Sequence, residues 1–299
     1  MGLASHNNSI GFFRVDIDGP THTDFAVQWA SNPAEYIDAQ SQLGSLGCIG
    51  KQQDTFYLYA ADDKLVHTFG FECVDSDDCA HRLDNYQNGN VTLDATVVDF
   101  SESCDTIAYK NGTSAITFAS PTFRSDFPEI FSVTNLRSNA GATLTDSDDS
   151  FLLWAPKDGF NLISKKTGKT KALAGHCKGK VVEMSWPWGW PENTSLFVVI
   201  TQQGKNTFVA NRYDAAAGTC KAGYKFTFES GWGGEDETQD RSFTLSWMDS
   251  IHALVVLTKD RLFYALPGQG PALPTTIVDL SKKLGAPVPS VFGLKAWQY

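Results

Sequence analysis

The chain has 299 residues, 42% of them hydrophobic and 19% charged, with 20 Phe, 9 Tyr and 8 Trp. That composition can bury a large core, which excludes a disordered polymer, and its longest apolar runs, such as 196–200 and 253–257, are five residues, against about twenty for a membrane-spanning helix. With 24 Lys plus Arg against 34 Asp plus Glu, the net charge of −10 has the wrong sign for a general binder of nucleic acid or anionic membrane.

Residues 1–6 carry neither a basic segment nor an apolar stretch, and read as the start of a mature chain whose signal peptide has been removed. From there short runs rich in Phe, Val, Ile, Thr and Tyr alternate with Gly, Asn, Asp and Ser, which predicts strand after strand. Central strands are expected at 25–29, 56–59, 196–200 and 253–257, and within 95–118 and 142–163. Helix is expected only at 32–42 and 279–284. The strands follow one order: an alternating strand, an acidic or Ser-rich turn, an apolar strand, a Gly/Asn/Asp turn, then another strand. It is clearest over 95–118 and 142–163. Anchored on Phe25, Phe56, Ile107, Leu152, Phe197 and Leu254, the spacing is 31, 51, 45, 45 and 57 residues. The mean is near the 40–50 residues of one four-stranded blade.

On that order the chain resembles the β-propeller superfamily. The resemblance lies at the level of the fold, because no Trp-Asp dipeptide occurs and no Gly-His or Gly-Gly signature recurs from blade to blade. It implies an all-β, six-bladed propeller occupying 1–299 as one domain. Strand 290–299 would close the ring against residues 12–17. Five or seven blades, or a β-sandwich, are the competing architectures.

Six cysteines without C-x-x-C spacing predict three disulfides, for which fifteen connectivities exist. Cys73–Cys79, Cys177–Cys220 and Cys48–Cys104 are the expected pairs. Asn7, Asn90, Asn111 and Asn193 each begin an N-x-S/T sequon. Together these features point to a secreted, monomeric glycoprotein.

Candidate chemistry is sparse. No nucleophile elbow, zinc-protease or phosphate-loop motif occurs, and no cofactor is implied. The acidic turns 16–18, 75–78 and 146–149 lack the spacing of a calcium loop, so calcium has weak support. The turns joining second to third strands, with Asp62, Asn111, Asp158, Gln203 and Asp260, are expected to share a face with the loops between blades. That face would gather Tyr86, His176 and the Gly-rich loop bearing Trp232 and Glu235. Trp186, Trp188 and Trp190, at alternate positions, make an aromatic platform on the opposite face.

The sharpest pattern is apolar-apolar-acid-apolar-Ser, which occurs at 97–101 around Asp99 and again at 181–185 around Glu183. In a propeller the first strand lines the central channel. Strict alternation would turn Asp99 and Glu183 into that channel, and Val98 and Met184 toward a neighbouring sheet. Two carboxylates there suit an acid/base pair or the orientation of a polar ligand. The reading that follows is a propeller binding a small molecule or glycan. The alternatives are a cofactor-independent enzyme, either an oxidase of luciferase type on a small aromatic substrate or a carboxylate-based hydrolase or lyase, and an adhesion protein.

Overall fold

The computed structural model describes residues 2–6, 9–18, 24–29, 37–38, 46–52, 55–62, 64–73, 83–101, 104–121, 127–147, 149–186, 195–229, 232, 243–248, 252–258, 261–266, 275–279 and 290–294, with side chains chiefly over 91–229. Every regular element among them is a strand. In chain order these are β1 (Gly2–His6), β2 (Ser9–Asp18), β3 (Asp24–Trp29), β4 (Ile37–Asp38), β5 (Leu46–Gln52), β6 (Thr55–Asp62), β7 (Leu65–Cys73) and β8 (Leu83–Thr92). They continue with β9 (Val97–Phe100), β10 (Ile107–Asn111), β11 (Ala115–Ala119), β12 (Glu129–Val133), β13 (Thr143–Asp146), β14 (Ser150–Ala155), β15 (Gly159–Ser164) and β16 (Thr170–Ala172). The remainder are β17 (Lys180–Ser185), β18 (Leu196–Gly204), β19 (Thr207–Asp214), β20 (Thr219–Thr227), β21 (Phe243–Met248), β22 (Ala253–Thr258), β23 (Arg261–Ala265), β24 (Thr275–Asp279) and β25 (Ser290–Leu294).

Among the described residues the strands make six antiparallel sheets. The second to sixth are consecutive sets of four, β5–β8 through β21–β24. In the first sheet the C-terminal β25 pairs with β1, followed by β2 and β3, and β4 is added beside β2. The strands β25, β5, β9, β13, β17 and β21 lie side by side in that cyclic order, with β21 returning to β25. They form the inner ring, and each sheet radiates from it.

The reason these segments form strands of this kind is visible in β18. Phe197 and Val199 join a cluster with Leu152 and Phe160 of the fourth sheet, while Val198 and Ile200 join one with Leu254 and Val256 of the sixth. Alternation sends successive side chains to opposite faces, and both faces are covered, so the run is apolar throughout. Outer strands read differently: all three residues of β16 are exposed.

Five anchors, Phe56, Ile107, Leu152, Phe197 and Leu254, fall on second strands of their sheets, whereas Phe25 lies on β3 at the outer end of its sheet. Closure also differs in detail from expectation. The tail strand pairs with β1, and β2, which holds Phe12 and Ile17, is one place further out. Within the expected helix 32–42, the described Ile37–Asp38 is a short strand on β2, and Asp279 ends β24; the rest of both segments lies outside the described residues.

Cys177 and Cys220 are disulfide-bonded, with Cα atoms 5.3 Å apart. Cys104 is disulfide-bonded as well, and among the described residues no cysteine is free. Cys79 and the side chains of Cys48 and Cys73 lie outside the described set. No described helix is long and apolar enough to cross a membrane.

Candidate functional site

Asp99 and Glu183 stand on β9 and β17, inner-ring strands separated by β13. Both strands are bulged at the same point. In β9, Val97 pairs with Tyr109 and Asp99 with Ala108, so Val98 is unpaired. In β17, Val181 pairs with Thr201 and Glu183 with Ile200, so Val182 is unpaired. A bulge adds one residue to a strand and re-aims the side chain beside it. It also breaks the strict alternation expected from the sequence. Val98 packs toward the fourth sheet, the following neighbour of its own, whereas Met184 packs toward the preceding one. The residue matching Val98 is Val182, which packs between the fifth and sixth sheets.

Each carboxylate then accepts the next backbone N–H. Phe100 donates to Asp99 Oδ1 at 2.9 Å and Met184 donates to Glu183 Oε1 at 3.1 Å. Asp99 reaches further, since its Oδ2 accepts from Thr143 Oγ1 at 3.2 Å and from the Leu144 N–H at 3.3 Å. It therefore ties the third sheet to the fourth. Both side chains remain partly exposed. The serines that end the two patterns differ: Ser101 is buried and closes the turn to β10 by accepting from the Thr106 N–H at 3.1 Å, while Ser185 leads into the Trp-rich segment.

The turns joining second to third strands do meet the linkers between sheets. Asp158 accepts from the Arg137 backbone at 2.9 Å and from its guanidinium Nε at 3.1 Å. Gln203 Nε2 donates to the Lys178 carbonyl at 3.1 Å. Asn139 Nδ2 donates to the Gly112 and Ala115 carbonyls at 3.1 and 2.7 Å. Turn and linker thus form one tethered rim on the third to fifth sheets. The tethers themselves are absent from the sequence reading, because Arg137 and Asn139 stand in a polar linker with no local signal of a partner.

The linker 173–179 is the most heavily fixed. The Tyr213 hydroxyl donates to the Ala174 carbonyl at 2.7 Å, Cys177 is bonded to Cys220, and Gly175 (φ +81°) lies against Gly218, where a side chain would collide with the Gly218 carbonyl. Burial, with the nearby Asp214 charge, pushes the Tyr213 hydroxyl up to about 12. Asp214 is held below the usual carboxylate range by the Ala217 N–H and the Ser195 hydroxyl.

Other expected site residues are placed as follows. His176 is exposed on the fixed linker. Trp232, expected at a ligand, is 2% exposed. It packs on Phe228 at 4.9 Å and Phe243 at 5.1 Å, and its indole N–H donates to Asn206 Oδ1 at 3.3 Å. Tyr86 lies on β8 with its side chain outside the described residues, and Glu235 and Trp188 lie outside them altogether. Asn111 is exposed at the β10–β11 turn, Asn90 lies on β8, and Asn7 and Asn193 fall outside the described set. Asp146 is 5% exposed and pairs with Lys165 Nζ at 2.6 Å, so it is already committed. Among the described residues no group of three or more His, Cys, Asp or Glu is placed to hold a metal.

A ring of radial antiparallel sheets, with the last strand of the chain seated inside the first sheet, defines a β-propeller. No family model and no curated protein matches the chain. Solved structures match at the level of the fold. TolB from Acinetobacter baumannii is 11% identical with a TM-score of 0.52, over 92% of this chain and 63% of that one. AztD from Citrobacter koseri is 10% identical with a TM-score of 0.43, over 98% of this chain and 88% of that one. A chain of the Mitotic Checkpoint Complex is 10% identical with a TM-score of 0.43, over 84% and 69%. The chain therefore spans less than two thirds of the TolB structure.

Proposed function

We propose that this chain is a secreted, N-glycosylated binding propeller that holds a small molecule or a glycan over the inner ring, with Asp99 and Glu183 as the polar contacts. The observation that carries the reading is the pair of matched bulges at Val98 and Val182, which give two strands the same local conformation beside an acid. Ligand sites of this kind combine a rigid wall with a few placed polar groups. Asp99 accepts from Phe100, Thr143 and Leu144. A carboxylate held that firmly suits a fixed acceptor better than a mobile proton carrier, which favours binding over acid/base catalysis.

Secretion and binding have separate tests. The denatured, unreduced protein is expected to show no thiol reactive with Ellman's reagent; two or more free thiols per chain would contradict the oxidising compartment. For binding, the glycosylated protein is screened by thermal shift against small polar and aromatic compounds and on a neutral-glycan array. At least one ligand should raise the melting temperature in a concentration-dependent way. Turnover of a small aromatic substrate with oxygen, without cofactor, would replace the binding reading by the oxidase.

A further inference from the structure

The net charge of −10 conceals a segregated surface. Residues 159–182 contain six lysines and no acid, and residues 215–228 contain two lysines and no acid. Apart from Lys165, which is paired with Asp146, the lysines of both segments are exposed. They come from the β15–β16 turn, from β16, from the linker between the fourth and fifth sheets, from the first residue of β17, and from β20.

Two of these segments meet at the Cys177–Cys220 bridge. Lys178 and Lys221 each follow a cysteine of the Cys177–Cys220 bridge, whose Cα atoms are 5.3 Å apart. One residue of chain adds 3.8 Å, so the Lys178 and Lys221 Cα atoms lie within about 13 Å of each other. Lys180 opens the inner strand β17, and Lys225 lies further along the outer strand β20. The linker cannot drift away from this arrangement, because the bridge, the Tyr213–Ala174 hydrogen bond and the packing of Gly175 on Gly218 hold it.

Lysines on an edge strand also prevent sheet-to-sheet aggregation. That accounts for Lys171 on β16 and for Lys221 and Lys225 on β20, and does not account for Lys178 and Lys180, which lie in the linker and at the start of an inner strand. Between Lys221 and Lys225 stands Tyr224, an aromatic ring 40% exposed. Its back is stacked on His252 at 4.8 Å and on Trp247 at 6.1 Å, so the ring is pre-set.

We infer that the outer edges of the fourth and fifth sheets, with their linker, bind a sulfated glycan chain. Lys171, Lys178, Lys180, Lys221 and Lys225 meet its sulfate and carboxylate groups, and Tyr224 stacks on a sugar ring. Charge complementarity requires a polyanion, and a linear one can follow a strip; the acid that acts on Lys221, Asp214, already accepts from Ser195, Ala216 and Ala217. Nucleic acid fits less well. Planar, two-pronged phosphate recognition favours Arg, and against seven exposed lysines in the two segments this surface carries a single described Arg, Arg212, exposed opposite Lys221 on β19. A disulfide-bonded chain works in oxidising compartments, where the abundant polyanions are sulfated glycans; here the inference rests on the secreted reading. It is independent of Asp99 and Glu183.

The test is calorimetric titration of the full chain with heparin at several salt concentrations. Binding should weaken steeply with salt, as expected for counterion release. The paired variant Lys178→Glu/Lys221→Glu should bind at least tenfold more weakly with a smaller salt slope. Tyr224→Ala should weaken binding several-fold and leave the salt slope unchanged. Lys64→Glu, in the β6–β7 turn of the second sheet, should bind heparin as the unaltered chain does. The inference is overturned if heparin does not bind, if the paired variant binds as tightly as the unaltered chain, or if de-sulfated heparin or a single-stranded DNA of equal charge binds equally well. A melting curve on each variant separates lost binding from lost fold.

Discussion

Tyr213 is a fully buried phenol with its hydroxyl on the Ala174 carbonyl. Its ionisation is pushed up to about 12 in the folded chain, from an ordinary value of 10.0, by burial and then by Asp214. A group that holds its proton more tightly when folded contributes stability that is full below about pH 10 and is lost as pH rises toward about 12. Urea midpoints measured from pH 8 to pH 12 should therefore fall at the alkaline end. Tyr213→Phe should cost about 1 kcal/mol at neutral pH through the lost hydrogen bond, and should show a shallower alkaline fall. An equally steep fall in the variant would assign the effect to other groups. Nothing near Tyr213 in the sequence signals this role, because Ala174 lies 39 residues away. Trp232 teaches the converse. Among glycines and acids it reads as a ligand-facing ring, yet Phe208, Phe228 and Phe243 enclose it. The only sequence hint was Phe228 and Phe243 on either side of the loop.

At the scale of elements, the strand order and the turn chemistry were legible because second strands such as β18 are covered on both faces and the turns carry Gly, Asn or Asp. The bulges were not. Val98 and Val182 look like ordinary members of an alternating strand, and only the cross-strand register shows that each is skipped. The first anchor also slipped for a topological reason: the first sheet begins at its second strand, since its inner strand comes from the chain's end. The linker 173–179 offers two tests at this scale. Gly112 and Gly175 both have positive φ, but a side chain at Gly112 meets open space whereas one at Gly175 collides with Gly218. Gly112→Ala should cost about 1 kcal/mol from backbone strain alone, and Gly175→Ala about 3 kcal/mol once the collision is added. Equal losses in urea denaturation would refute the close packing of that linker. The bridge spans 43 residues, so Cys177→Ala/Cys220→Ala should lose about 4 kcal/mol on the chain-entropy account. A loss under about 1 kcal/mol would mean that the hydrogen bond and packing hold the linker without it.

Across the whole molecule, ring closure places β25 beside both β5 and β21, so the two ends of the chain meet in one sheet and the inner strands present one continuous wall. The fold class was legible in the sequence because the same strand-and-turn order recurs along it. The candidate site was legible only as a pair of matching patterns, because what Asp99 and Glu183 share is a place on inner-ring strands and not nearness in the chain. The same wall that makes Asp99 a candidate contact also uses it as a brace to Thr143 and Leu144. Asp99→Asn is thus expected to cost about 2 kcal/mol of stability while leaving the ring intact. The most direct measurement is calorimetric affinity for the ligand found by thermal shift, taken on the unaltered chain, Asp99→Asn and Glu183→Gln well below their melting temperatures. Each variant should bind at least tenfold more weakly, and full affinity in both would remove the two carboxylates from the site.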